Sequence, residues 1–341
     1  MRAAIFSEFG GPEVIRVEEV ADPEPGPGEV RLRVRAASLN HLDLWARRGL
    51  PFPISMPHIG GSDIAGEVER VGPGAEHVPI GTRVVVDPST NWEWYEGVRR
   101  GKDLPDPGYR VIGEHLQGGF AELAVVPAAN LLQIPADVTY DTAAAAGMIF
   151  ATAWGGLMGR ASLRPGERVL VTGGSGGVST AAIQVARRAG ASVVAITSGP
   201  ENVKRVRELG ADIVLDRLSG PLGAQLKDAT GSRGVDVVFD SVGQPMWASL
   251  IRCLRPGGRL VCYGSTAGPE AVTDLRHVFW KRLSILGTTM ASPAEFVEVM
   301  HLVFEGSLIP VIDRILRLEE LGEAHRALEA GEVFGKVVIR V

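Results

Sequence analysis

From residue 169 the chain reads Val-Leu-Val-Thr-Gly-Gly-Ser-Gly-Gly-Val-Ser, and then Thr-Ala-Ala-Ile-Gln-Val-Ala-Arg-Arg-Ala-Gly to residue 190. The three aliphatic residues predict a strand buried on both faces. Five Gly-rich residues follow, and Val178, Ile183, Val185 and Ala186 then recur at helical spacing. A strand, a tight turn and a helix start offer free backbone N–H groups and a positive dipole end to an anion. Glycine lets that backbone approach a pyrophosphate closely. The fingerprint is Gly173-x-x-Gly176-x-x-Ser179, with a small Ser in place of a third Gly. Alone such a motif is weak, but its place after a strand and before a helix is what the mechanism requires. An ordinary glycine-rich turn is the plainer alternative. The expectation is a dinucleotide site whose phosphates meet Gly173, Gly176, Gly177 and Val178.

The segments around this turn divide the chain in two. Beyond Pro135, strands expected at Val169–Thr172, Val193–Thr197, Ile213–Leu215, Val235–Asp240, Arg259–Gly264 and Leu283–Thr289 alternate with helical stretches, as in a parallel doubly wound sheet. Before it lie short runs at Ala3–Ser7, Val14–Val20, Val30–Ala36, Ala65–Val71, Arg83–Val86 and Ala121–Val126, which predict a small β-rich domain. Asn40–Gly49 reads as a short helix stopped by Gly49 and Pro51. Asn91–Gly119 has no strong period and is expected to be a long surface loop or lobe. Two amphipathic helices, Ala294–Phe304 and Leu318–Ala330, precede a last strand at Lys336–Val341.

A chain of 341 residues suggests two domains. Its formal charge of -5 carries no basic excess for nucleic acid or an anionic membrane surface. Apolar runs fall short of the roughly 18 residues that a spanning helix needs, the longest lying near Ala143–Trp154. The strand-like start at Arg2 leaves no visible signal peptide, so a cytoplasmic location is expected. Cys253 and Cys262 sit in apolar contexts and read as buried thiols rather than a disulfide.

Motifs along the whole chain resemble the medium-chain dehydrogenase/reductase superfamily, the zinc alcohol dehydrogenases and quinone oxidoreductases. They include Gly11-Pro-Glu-Val14, Ala36-Ala-Ser-Leu-Asn-His-Leu-Asp43, Gly60-Gly-Ser-Asp63, Gly118-Gly-Phe-Ala-Glu122, the glycine turn, Gly234-Val-Asp-Val-Val-Phe-Asp240 and Gly335-Lys-Val-Val338. The resemblance implies an α/β fold. A Rossmann doubly wound parallel sheet would form the coenzyme domain over 150–289. A β-rich GroES-like catalytic domain would take 1–149 and 290–341, with ligands in the cleft between them.

The resemblance also locates what this chain has lost. The catalytic zinc of the alcohol dehydrogenases is held at positions that here resemble Asn40, Ser62 and Met148, none of them a good zinc ligand. The family's proton relay falls on Leu42 and Trp45. The four cysteines of its structural zinc lobe fall on Trp92, Tyr95, Val98 and Asp106, so Trp92, Trp94 and Tyr95 are expected to replace the metal by packing together, a mobile lobe being the alternative. No zinc is therefore expected. His41, Asp63, His58 and His115 are the residues from which an atypical metal site would have to be built.

Asp or Glu at the end of the second Rossmann strand would select NAD. Here that end reads Ala195-Ile-Thr-Ser-Gly199, which favours NADP(H), with NAD(H) as the alternative. Thr197 and Ser198 would bond a 2′-phosphate, near Asn202, Lys204 and Arg205. By family position, Thr152 and the Ser241-Val242-Gly243 turn would flank the nicotinamide ribose. Gly264 and Ser265 would lie at the next strand end, and Met290 beside the carboxamide. Asp240 is equally a plain strand-end cap.

Without a metal, such a site can deliver hydride to a polarised double bond, given a hydrogen-bond donor for the developing oxyanion. Asn40 and His41 are the donors expected, with Asp43 orienting the helix start. The substrate would be a small apolar enone or quinone, and the chain a homodimer or homotetramer. The rival readings are an alcohol dehydrogenase with an atypical metal site and a catalytically idle nucleotide-binding protein.

Overall fold

The computed structural model describes residues 1–99 and 108–341. The chain forms two compact units, Met1–Met148 with Ser292–Val341, and Ile149–Ala291.

The first unit is built on a seven-stranded sheet. Its path runs Leu131–Gln133, Arg83–Val86, Asp63–Val71, Glu29–Ser38, Lys336–Arg340 and Ile312–Arg317, with Leu123–Pro127 also paired to Glu29–Ser38. Val30, Leu32 and Val34 alternate inward along Glu29–Ser38 and pack on Ile64, Val68, Val84 and Val86. This strand matters most for the site. Ser38 at its end stands opposite Asp63 on one side and Val338 on the other. The helix His41–Arg48 starts three residues further on.

Some expectations about this unit need correction. Pro12-Glu-Val14 closes a 3-10 turn and the strand is confined to Arg16–Glu19, because Pro12 fixes the φ that such a turn uses. Leu318–Glu320 is likewise a 3-10 turn leading into the helix Leu321–Glu329. The insert after Asn91 is not a bare loop: Glu93–Arg99 is helical, and Ser89–Thr90 pairs with Arg110–Val111. Trp92, Trp94 and Tyr95 do pack together, with ring centroids 5.3–5.4 Å apart along the chain of contacts. Tyr109 completes the cluster at 4.9 Å from Tyr95 and 5.8 Å from Trp92. The Val98 side chain and Asp106 lie outside the described residues.

The second unit is a six-stranded parallel sheet. Its order is Ile213–Asp216, Ser192–Thr197, Arg168–Val171, Val235–Asp240, Leu254–Cys262 and Ser284–Gly287. The order reverses direction between Arg168–Val171 and Val235–Asp240, the switch point where a doubly wound sheet opens a crevice at its carboxyl ends. Leu170, Val194, Ile196, Val238 and Leu260 fill one side of the sheet core. The strand Leu254–Cys262 starts earlier than its apolar run suggests. Its first residue pairs with Val235 before the register shifts.

The stretch Tyr140–Arg160 also departs from expectation. Helical structure continues for 21 residues, long and apolar enough to cross a membrane, yet 78% of its most apolar window is buried within the fold. Apolarity here serves the protein's own core.

Candidate active site

The helix start at Asn40 is held by a buried polar network. Asp63 Oδ2 accepts the Ser38 hydroxyl and Asn40 Nδ2, each at 2.9 Å, and the Lys336 ammonium at 3.1 Å. Asp63 Oδ1 accepts the Met148 N–H at 2.6 Å. Lys336 also donates to the Leu39 carbonyl at 2.7 Å and to Asn40 Oδ1. Both ends of the Asn40 carboxamide are thus engaged. Burying a charge this deeply requires a partner and hydrogen bonds, and Lys336 and Asp63 supply both to each other.

Asp43 closes the first turn. Its Oδ2 accepts the Asn40 N–H at 2.7 Å and its Oδ1 the Gly61 N–H at 2.8 Å. A Cβ on Gly61, whose φ is +95°, would lie 2.9 Å from the Phe120 nitrogen, so only glycine lets this backbone turn toward the acid. Burial pushes the Asp43 carboxyl up to about 6, against the two backbone N–H bonds and the Lys336 charge, which pull it down. Asp43 shapes the site and is itself shut off from solvent.

His41 differs from its neighbours. It follows Asn40 at the first helical position and presents an exposed ring. Loss of solvent around the covered part of the ring, with the charges of Lys336 and Arg48, lowers its pKa and favours neutral imidazole. Glu114 is mostly buried, and that burial, with the Asp43 charge, pushes it up to about 7. Its neighbour His115 stacks on Phe52 at 4.3 Å. His58 is set apart, with Nε2 3.2 Å from the Gly113 carbonyl and its ring against Phe6.

In the second unit most of the expected coenzyme residues lie at or just beyond the carboxyl ends of the parallel strands, while Thr152 lies on the helix Tyr140–Trp154. Gly173 takes φ +58° straight after Arg168–Val171, and Gly177–Arg188 follows as a helix with no side-chain cap at its start. No cap side chain takes up the first-turn N–H groups, which include those of Gly177 and Val178. Ser179, in place of a third Gly, donates to the Thr172 carbonyl at 2.7 Å and ties helix to strand. Thr197 and Ser198 end the next strand. The Thr197 hydroxyl is buried without a partner, and Arg217 donates to the Ser198 hydroxyl at 2.5 Å. Val242 lies in the turn whose backbone meets Thr266 and Ala267, with Gly264 and Ser265 just before them. Met290, at φ +46°, puts its carbonyl where a side chain on Gly155 would otherwise go, near Thr152 in sequence. Asp240 is a turn cap: it accepts from Thr172 and from the Val242 and Gly243 N–H groups.

Two family models match this arrangement. An alcohol dehydrogenase GroES-like domain covers residues 26–136, and a zinc-binding dehydrogenase domain covers 177–305. A crotonyl-CoA reductase of Streptomyces collinus is 31% identical over 94% of this chain and 80% of its own length. The chain belongs to the medium-chain dehydrogenase/reductase superfamily. It is an oxidoreductase. Among solved structures, an NAD-dependent alcohol dehydrogenase is 40% identical, with a TM-score of 0.93 over the full length of both chains. The crotonyl-CoA carboxylase/reductase AntE in complex with NADP is 28% identical, with a TM-score of 0.91 over all of this chain and 94% of its own.

For a member of this superfamily, the zinc positions are informative. Asn40, Ser62 and Met148 offer an amide, a hydroxyl and a thioether where Zn²⁺ asks for thiolate, imidazole or carboxylate. Asn40 Oδ1 is already taken by an ammonium. This donor set does not suit zinc. Sequence reasoning assigned no role to Lys336 and treated Asn40 as a free donor. A lone Lys opening the apolar run Val337-Val-Ile339 was the available signal, since a buried Lys needs an acid beside it.

Proposed function

We propose that this oxidoreductase reduces a double bond conjugated to a carbonyl, in an enone, quinone or enoyl thioester, without zinc and with NADPH as the preferred coenzyme. The observation that carries this reading is the contrast at the helix start. Asn40 and Asp43 are fully engaged in structure, while His41 stands exposed and favours neutral imidazole. When bound, the reduced coenzyme supplies hydride to the β-carbon of the substrate. An electron pair then moves onto the carbonyl oxygen. A neutral His41 N–H donates a hydrogen bond to that oxygen, and a proton from water completes the α-carbon. The two reductases named above support a conjugated substrate.

The preference for NADPH rests on the end of Ser192–Thr197. It carries no acid, and it places the partnerless Thr197 hydroxyl near Ser198 and the Arg217 guanidinium, which suit a 2′-phosphate. Asp216, on the adjacent strand, is committed to the N–H groups of Gly199 and Leu218.

Alcohol oxidation is the competing reading, favoured by the 40% identical alcohol dehydrogenase. Steady-state assays of the chelator-washed enzyme decide between the two. Chelator-resistant reduction of enones with NADPH supports the proposal; alcohol oxidation that is lost on chelation and regained with zinc refutes it. A homodimer is also proposed. Ser284–Gly287 is an edge strand, and Phe279, Trp280 and Ile285 around it are exposed, Trp280 at 84%. A single-chain mass by light scattering would refute it.

A further inference from the structure

We propose that the Lys336 ammonium is a covalently carried cation that positions the Asn40–His41 helix start for catalysis, at a site where the donors present do not suit a metal. The inference rests on the zinc-independent reading above and adds a positioning residue to it.

The geometry resembles coordination. An ammonium has three N–H donors, and the three acceptors around Lys336 are all oxygens: the Leu39 carbonyl, Asn40 Oδ1 and Asp63 Oδ2. The side chain of Lys336 is 2% exposed and that of Asp63 0%, so both are shut off from bulk solvent. Two of the three oxygens belong to the residues leading directly into the helix. The third belongs to an acid that also receives Asn40 Nδ2, Ser38 Oγ and the Met148 N–H.

Because Lys336 occupies Oδ1, the Asn40 carboxamide is fixed with Nδ2 toward Asp63. The amide is thereby locked in one orientation, and His41 follows it in the chain. Sheet register delivers each part. Asp63 lies opposite Ser38 on one neighbouring strand, and Lys336 opens the other, where the Leu39 N–H bonds the Val337 carbonyl. Charge is balanced within the cluster, since one ammonium faces one carboxylate. Asp43, beneath the same turn, is the next acid, and His41 and Arg48 are the other titratable or charged groups near it.

The alternative is that Lys336 merely neutralises Asp63. A pair of variants separates the two. Lys336→Met leaves Asp63 buried without a counter-charge and tests only whether the charge is needed for folding. Lys336→Met/Asp63→Asn removes both charges and keeps similar volumes. If Lys336 is a positioning residue, the double variant folds and binds NADPH with a Kd within about twofold of the parent, while kcat on an activated alkene falls about tenfold or more. Its amide hydrogen exchange over residues 40–44 also speeds up by about tenfold or more. A double variant with parental kcat overturns the proposal, whatever its exchange. If the parent enzyme is inactive on every activated alkene, the proposed function fails, and exchange alone judges Lys336: faster exchange supports its positioning role, and unchanged exchange overturns it.

Discussion

The Thr172 hydroxyl donates to the Asp240 carboxylate at 2.6 Å, joining the carboxyl ends of the two strands between which the parallel sheet reverses its order. Asp240 also gathers the Val242 and Gly243 N–H groups. The crevice that a doubly wound sheet opens at its switch point is thus closed at the base by one side-chain bond.

Asp240→Asn tests this bond. An amide presents N–H where at least one of the three donors now points, leaving a buried group unsatisfied at a cost of about 1–3 kcal/mol. We expect a lower melting temperature and weaker NADPH binding by fluorescence titration. Unchanged values for both would show that the turn does not depend on the acid.

Glu114 sets a pH dependence. Its folded-state pKa of about 7 lies above the ordinary 4.5, so between these values the folded protein binds more protons than the unfolded chain. Stability therefore falls as pH rises through that window. Glu114→Gln removes the charge that burial opposes. The variant should gain on the parent from about pH 4.5 to 7, by up to roughly 2–3 kcal/mol. Melting temperatures across pH 4–8 check this, and parallel curves would refute it.

Arg217 should discriminate between the coenzymes. Arg217→Ala removes a guanidinium from the Ser198 hydroxyl but touches nothing a 2′-hydroxyl needs. The Kd for NADPH should rise about tenfold, the equivalent of 1.4 kcal/mol, while that for NADH stays put. Equal weakening of both would assign Arg217 to the fold.

Arg47 anchors the far end of the helix His41–Arg48. It is fully buried and donates to the Gly10 carbonyl, to His325 Nδ1 and to Glu329. Burial and the nearby Arg47 and Arg48 charges push His325 down to about 3, which keeps its ring neutral as an acceptor. Arg47→Met leaves Glu329 with Arg48 as its partner but strips the Gly10 carbonyl and His325 Nδ1 of their donor, and should cost about 1–3 kcal/mol, read as a lower denaturation midpoint.

The coenzyme unit was the more legible half of this sequence. Arg168–Val171, Ser192–Thr197 and Val235–Asp240 are apolar runs with Gly close by on both sides, and the glycine turn names its own place. Strand ends drifted where backbone geometry, not hydrophobicity, decides, as at Pro12 and at the register shift after Val235. Ile312–Arg317 was missed because charged Asp313, Arg314 and Arg317 break its alternation. The helix start at Asn40 was found, but not what holds it. The partners of Asn40 come from two other strands, and no local pattern reports a pairing across a sheet. Tyr109 joined the aromatic cluster for a similar reason: it comes just before Arg110–Val111, the strand that pairs back with Ser89–Thr90.

Lys336 lies 273 residues downstream of the acid it neutralises. A ribosome therefore releases Asp63 with its strand long before the ammonium exists, and throughout that interval the carboxylate must stay hydrated or protonated. The sheet cannot seal around Asp63 until the later strand docks beside Ser38. Meanwhile Ile149–Ala291 has emerged whole and carries its own core. Nascent chains should thus show a finished parallel-sheet half while the other sheet still lacks the strand beside Ser38, with the arrival of one lysine marking the last step of assembly.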